Sequence, residues 1–216
     1  MKLRWSGDTL LLVEWEHVVD PEVNERAIRV AERLQSRLGR VVRDIVPSYC
    51  SVGVHFDPLL TDLGALERVV VEEAERVGHD LHETDRQPIE IPVQYGGEAG
   101  PDVEAVAEWA SCSPDNVIEW HAARIYRVYM LGFVPGFSYM GRVDSRIAAP
   151  RRRVPRDRVL PGSVGIAGEQ TGVYPIATPG GWQIIGRTAA VMFDPSRTPA
   201  SLLQPGDLVR FVPVTL

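Results

Sequence analysis

The segment GEQTGVYPIATPGGWQIIGRT, residues 168–188, gathers Gln170, Thr171, Tyr174, Trp182, Gln183 and Arg187 on a backbone with five glycines and two prolines. Gln170, Gln183 and Thr171 offer neutral donors and acceptors, and Arg187 offers a planar fork suited to a carboxylate or phosphate. Tyr174 and Trp182 offer apolar walls, and Gly180-Gly181 lets the main chain come close to whatever lies beneath Trp182. Glycine in an ordered element costs about 0.5–1 kcal/mol against alanine. Seven glycines fall between 162 and 186, too many to be idle in a protein whose whole stability is about 5–15 kcal/mol. These parts fit a pocket that holds a small polar acid or amide by orientation. They include no evident pair of nucleophile and base.

Other stretches carry candidates of their own. LGFVPGFSYMG (131–141) sets Phe133, Pro135, Phe137, Tyr139 and Met140 on a chain that its glycines and prolines bar from regular structure. Either it folds onto its own domain or it presents aromatics to a pocket or partner. YGGEAGPDV (95–103) delivers Glu98 and Asp102 to the start of a helix. Capping is the preferred role for Asp102, and Glu98 is left open. PRRRVPRDR (150–158) reads as a solvated loop with one or two arginines paired to neighbouring carboxylates, or as an anion cradle. His121 follows a capped helix and precedes the strand RIYRVYMLGF. A satisfied structural histidine is the commoner reading there, and proton transfer is the alternative. His17, His55, His79 and His82 lie in edges and loops with no mutual spacing.

The elements that must position these residues fall into two sets. TLLLVEW (9–15) reads as a strand. Asp20-Pro21 opens a helix whose Val23, Ala27, Val30, Ala31, Leu34 and Leu38 recur at helical spacing up to Gly39. VVRDIVP (41–47) and CSVGVHF (50–56) read as strands, 62–77 as a second helix and PIEIPVQY (88–95) as a strand. That β-α-β-β-α-β order is the signature of a ferredoxin-like sheet. The polar linker HETDRQ (82–87) marks a boundary, giving domains 1–86 and 87–216. Two short helices follow, from Pro101 to about Ala110 and from Ser113-Pro114 to His121-Ala122. After the strand 124–133 come short strands punctuated by Gly and Pro, which suggest a barrel.

Composition excludes several classes. A net charge of −6 argues against a nucleic-acid partner. No stretch approaches the roughly 20 apolar residues of a membrane span, and the N-terminus alternates unlike a signal peptide. Cys50 and Cys112 are too few for a disulfide scaffold or a zinc site, so the cytoplasm is the expected compartment and no metal is expected. Lys2 is the single lysine. A phosphate-loop, Schiff-base or biotin-bearing lysine would have to be that residue, and the flanking motifs are missing.

YGGEAGPDV, HAARIYRVYMLGFVPGFSYMG, PRRRVPRDRVLPGSVGIAGEQTGVYPIATPGGWQIIGRT and FDPSRTPASLLQPGDLVRFVPV, with PSYCSVGVHFDP in the first half, together resemble the family of 5-oxoprolinase B subunits. That family is also known as allophanate hydrolase subunit 1 and includes Kip-type histidine-kinase inhibitors. The resemblance implies an α+β chain, with a ferredoxin-like first domain and a cyclophilin-like β-barrel second domain. It implies one component of an ATP-dependent hydrolase complex that opens 5-oxoproline to glutamate, with the related C subunit and the A subunit as partners. The ATP site is then expected on or shared with another subunit. In that setting Gln170, Gln183 and N–H groups near Gly180 and Gly181 orient the amide. Arg187 holds the carboxylate, and His121 is the reserve proton carrier. Phe133, Pro135, Phe137, Thr171, Tyr174 and Trp182 line the site. The alternatives are an allophanate or urea carboxylase-type carboxyltransferase subunit and a kinase-inhibitory binding protein.

Overall fold

The computed structural model describes residues 1–77 and 86–214. The chain divides into two compact units, Met1–Asp85 and Arg86–Leu216. The first holds β1 (Lys2–Ser6), β2 (Leu10–Glu14), α1 (Pro21–Leu38), β3 (Asp44–Pro47), β4 (Ser51–His55) and α2 (Leu63–Val77). Asp20 starts α1 by accepting the N–H groups of Glu22 and Val23 on its side chain, with Pro21 at the first helical position. The apolar stripe Ala27, Val30, Ala31, Leu34 and Leu38 is buried against Leu11, Val13, Val52 and Val54 of the sheet and Leu66 and Val70 of α2. The sheet order is β1-β2-β4-β3, antiparallel throughout.

Three differences from the sequence expectation have local causes. β1, which composition alone does not mark, pairs with β2 through a turn at Gly7, whose φ is +65°. The strand expected at 41–47 starts only at Asp44, because the N–H groups of Val41 and Val42 fold back onto the Leu38 carbonyl. The strand at 88–95 does not complete the first sheet. β1 takes the edge beside β2, a pairing that needs only a short loop to close, and the later strand belongs to the second unit.

That unit contains β5 (Ile89–Tyr95), α3 (Val103–Ala110), α4 (Pro114–Ala122), β6 (Ile125–Leu131), β7 (Ser138–Gly141), β8 (Arg156–Val159) and β9 (Ser163–Ala167). Then follow β10 (Gln170–Val173), β11 (Thr178–Gly180), β12 (Gln183–Arg187) and β13 (Leu208–Pro213). Seven strands close a barrel in the order β10-β7-β6-β13-β5-β12-β9, and β8 pairs with β11 as a separate ribbon. Only the β13–β5 seam is parallel among the barrel pairings. Alternating residues such as Ile91 and Val93, Tyr126 and Val128, Val164 and Ile166, and Val209 and Phe211 fill the core. Val103, Val106 and Ala107 of α3 and Val117 of α4 join that core. The linker expected at 82–87 lies, as far as Asp85, outside the described residues, as do His79 and His82. Among the described residues no helix is long and apolar enough to cross a membrane.

Candidate functional site

The glycine-rich segment spans β10, β11 and β12. Trp182, at the entry to β12, is buried with Tyr174, Phe137, Val159, Ala167 and Ile184 in a cluster separate from the barrel core. Ring centroids lie 5.3 Å apart for Phe137–Trp182 and 5.2 Å for Phe137–Tyr174, both edge to face. A Cβ on Gly180 would stand 2.5 Å from the Tyr174 hydroxyl, whereas one on Gly181 would meet nothing nearer than Pro155 at 3.7 Å. The close main-chain approach expected near Trp182 therefore exists at Gly180, and the group brought close is Tyr174. Phe133 sits outside this cluster at φ +67°, 58% exposed, with its ring edge-on to Phe137 and Tyr174. Pro135 is also exposed.

His121 is fully buried at the end of α4. Thr171 donates its hydroxyl to the Gly165 carbonyl at 3.0 Å, so it accepts from His121 Nε2–H at 2.9 Å. Nδ1 is then left to accept from the Tyr95 hydroxyl at 2.8 Å. The ring stacks on Phe211 at 4.9 Å. Burial holds the imidazole down to a pKa of about 3, keeping it neutral. Every polar atom of this chain of groups has a partner, which ties α4 to β5, β9 and β10. Thr171 is equally enclosed.

The two glutamines lie on strands either side of β9 and the arginine stands apart. Gln170 pairs with Ala167 and Gln183 with Ile166, near the same end of β9, and because these are successive residues the two side chains leave on opposite faces. Gln183 donates to the Pro150 carbonyl at 2.9 Å. Arg187 pairs with Ser163 at the other end of β9. Its Nε is buried with no hydrogen-bond partner among the described residues.

The most charged locus departs from the sequence expectation. Asp102 precedes α3 but makes no capping hydrogen bond. Its side chain turns instead to the residues around the double glycine. Oδ1 accepts from Arg152 Nη1 at 2.9 Å and Arg156 Nη2 at 2.7 Å, and Oδ2 accepts from the Ile184 N–H at 2.6 Å. The Arg152 N–H in turn donates to the Gly181 carbonyl at 2.7 Å. A cap offers a side chain one or two backbone N–H groups, whereas Asp102 here receives three donors, two of them from guanidinium groups. A signal for this pairing is present in the sequence: the run 150–158 holds five arginines and one carboxylate, so its partners have to come from elsewhere. Among the described residues no group of three or more His, Cys, Asp or Glu lies together as a metal site.

Comparison with known proteins places this architecture. The chain is 44% identical over 210 residues to the B subunit of 5-oxoprolinase from Escherichia coli O157:H7, covering 96% of this chain and 93% of that protein. It is 39% identical over 219 residues to the B subunit of 5-oxoprolinase from Bacillus subtilis (strain 168), covering 97% and 91%. The crystal structure of TTHA0988 superposes with a TM-score of 0.84 at 34% identity, covering all of this chain but only 41% of that longer one. Residues 1–203 match the model of the carboxyltransferase domain, subdomain C and D. With its closed seven-stranded barrel, the chain belongs to the carboxyltransferase domain family, subdomains C and D.

Proposed function

We propose that this chain is the B subunit of an ATP-dependent 5-oxoprolinase, a complex that hydrolyses 5-oxoproline to glutamate in the cytoplasm together with its A and C subunits. The observation that carries this reading is the 44% identity to a 5-oxoprolinase B subunit across nearly the whole of both chains. The antiparallel sheet with two helices in residues 1–77, its edge filled by β1 instead of the strand at 88–95, is our support for a ferredoxin-like domain, and the closed barrel within 86–214 for a cyclophilin-like one.

5-Oxoproline is a cyclic amide bearing one carboxylate. Its ring opening needs the amide held rigidly and the charge developing on its oxygen met by donors. Gln170 on β10 and Gln183 on β12, with the main chain at Gly180 and Gly181, are our candidates for orienting the amide. The unpartnered Nε supports Arg187 as the group that takes the carboxylate. Phe133 and Pro135 form the exposed lip, held from behind by Phe137, Tyr174 and Trp182. We assign His121 and Thr171 to holding β10 in place, because both ring nitrogens of His121 are occupied. Lys2, the one lysine, is exposed on edge strand β1, which supports an ATP site on, or shared with, another subunit.

The test is co-expression with the A and C subunits, followed by assay of glutamate release dependent on ATP and 5-oxoproline. Glutamate is expected only from the full set. Arg187→Ala is expected to raise KM for 5-oxoproline at least about tenfold, a loss of roughly 1.4 kcal/mol of binding. An unchanged KM removes Arg187 from the site.

A further inference from the structure

We propose that Asp102, Arg152 and Arg156 form a binding site for an oxyanion, either a carboxylate or a phosphoryl group. One carboxylate here faces two guanidinium groups, so one positive charge is left without a counterion. Asp102 already takes three donors: Oδ1 an N–H from each arginine and Oδ2 the Ile184 N–H. Arg152 Nε and Arg156 Nη1 remain as buried donors with no acceptor among the described residues. A buried donor without an acceptor destabilises the fold, and both belong to the same pair of forks. Arginine forks match the planar geometry of carboxylate and phosphate oxygens. An anion seated beside Asp102 supplies the missing acceptors and neutralises the second cation.

The two donors are enclosed, but the side chains that carry them reach the surface. The two arginine side chains are 36% and 24% exposed, and the segment 148–155 that carries Arg152 forms neither helix nor strand. Arg151, on the same segment, acts electrostatically on Tyr139 and Tyr174 and adds positive charge on the side of the aromatic cluster. The site is distinct from Arg187, which pairs with Ser163 at the other end of β9 from Gln183.

Nuclear magnetic resonance of the full chain labelled with ¹⁵N-arginine tests this by following the Nε–H signals of Arg152 and Arg156. Inorganic phosphate and 5-oxoproline are added separately. Saturable displacement of both signals is expected, with a Kd of about 0.1–10 mM. Displacement by phosphate alone assigns a phosphoryl source, and displacement by 5-oxoproline alone assigns a carboxylate source. Competition between them establishes the shared chemistry. Arg156→Lys keeps the charge but removes the fork, and is expected to weaken binding about tenfold. No displacement by either ligand up to about 50 mM overturns the proposal. An unsaturable drift of all arginine signals alike, or full-strength binding in both Arg152→Lys and Arg156→Lys, overturns it as well. The choice of 5-oxoproline as a probe rests on the function proposed above. Because the readout needs no turnover, a complex that releases no glutamate would sink that function and leave this site standing.

Discussion

Two buried carboxylates, one in each unit, collect arginines in different ways. Glu73 on α2 accepts from Arg33, Arg37 and Arg76 at 2.6–2.9 Å, and Arg37 and Arg76 also reach the half-exposed Glu72. Its arginine side chains are 40–52% exposed and none of the three leaves a buried donor unmatched among the described residues. Glu72 and solvent complete what Glu73 does not. Among the described residues no second carboxylate shares the arginines of Asp102, which are more enclosed, and each keeps a buried N–H without an acceptor. The first cluster is a finished brace between two helices. Each cluster has one more guanidinium group than carboxylates, but only the second keeps two buried donors unmatched, next to the segment richest in glycine.

Removing the carboxylate from each cluster tests that contrast most strongly. Asp102→Ala strands two guanidinium groups and the Ile184 N–H, and is expected to cost about 3–5 kcal/mol in denaturant unfolding. Glu73→Gln, whose arginines retreat to Glu72 and water, is expected to cost only about 1–2 kcal/mol. Equal losses would erase the distinction.

The paired glycines sharpen the comparison at closer range. Gly180→Ala drives a methyl group into the buried Tyr174 ring and is expected to cost about 1–3 kcal/mol, with a change in near-ultraviolet circular dichroism from the aromatic cluster. Gly181→Ala, beside the open arginine segment, is expected to fall within about 0.5 kcal/mol of the parent.

The closed network at His121 gives the mildest test. Its folded pKa of about 3 lies below the ordinary value of 6.5, so the unfolded chain binds the proton first. Stability from this group is complete above pH 6.5 and declines as pH falls toward 3, by at most about 1.4 kcal/mol per pH unit. Arginine partners hold Glu73 and Asp144 below the usual carboxylate range. They add the same sign of effect, but only as pH falls below about 4. Urea unfolding at pH values of about 7, 6 and 5 therefore isolates the histidine. A flat profile over that window would mean that His121 is not held neutral.

Local signals in the sequence carry the elements and fail at long-range partners. Asp20-Pro21 and Ser113-Pro114 announce their helices because caps act within one turn. The periodicity of α1 survives intact because its stripe is buried on one face only. PIEIPVQY is legible as a strand, but its neighbours β12 and β13 lie far downstream, so its sheet is not. The same limit governs the site. GGW marks a place where backbone and side chains crowd, yet whether Gly180 meets a ligand or Tyr174 depends on a fold that spacing does not encode. Asp102 resembles a cap because it stands before a helix. Its true partners, Arg152 and Arg156, are 50 and 54 residues downstream.

The parallel seam between β5 and β13 also dictates a timetable. During synthesis the first barrel strand emerges long before the last, and until residues 208–213 leave the ribosome both β5 and β6 wait with an unsatisfied edge. The first unit, whose sheet is complete by His55, has no such wait. Nascent chains stalled just before Leu208 should thus carry a folded first unit and a protease-sensitive second one.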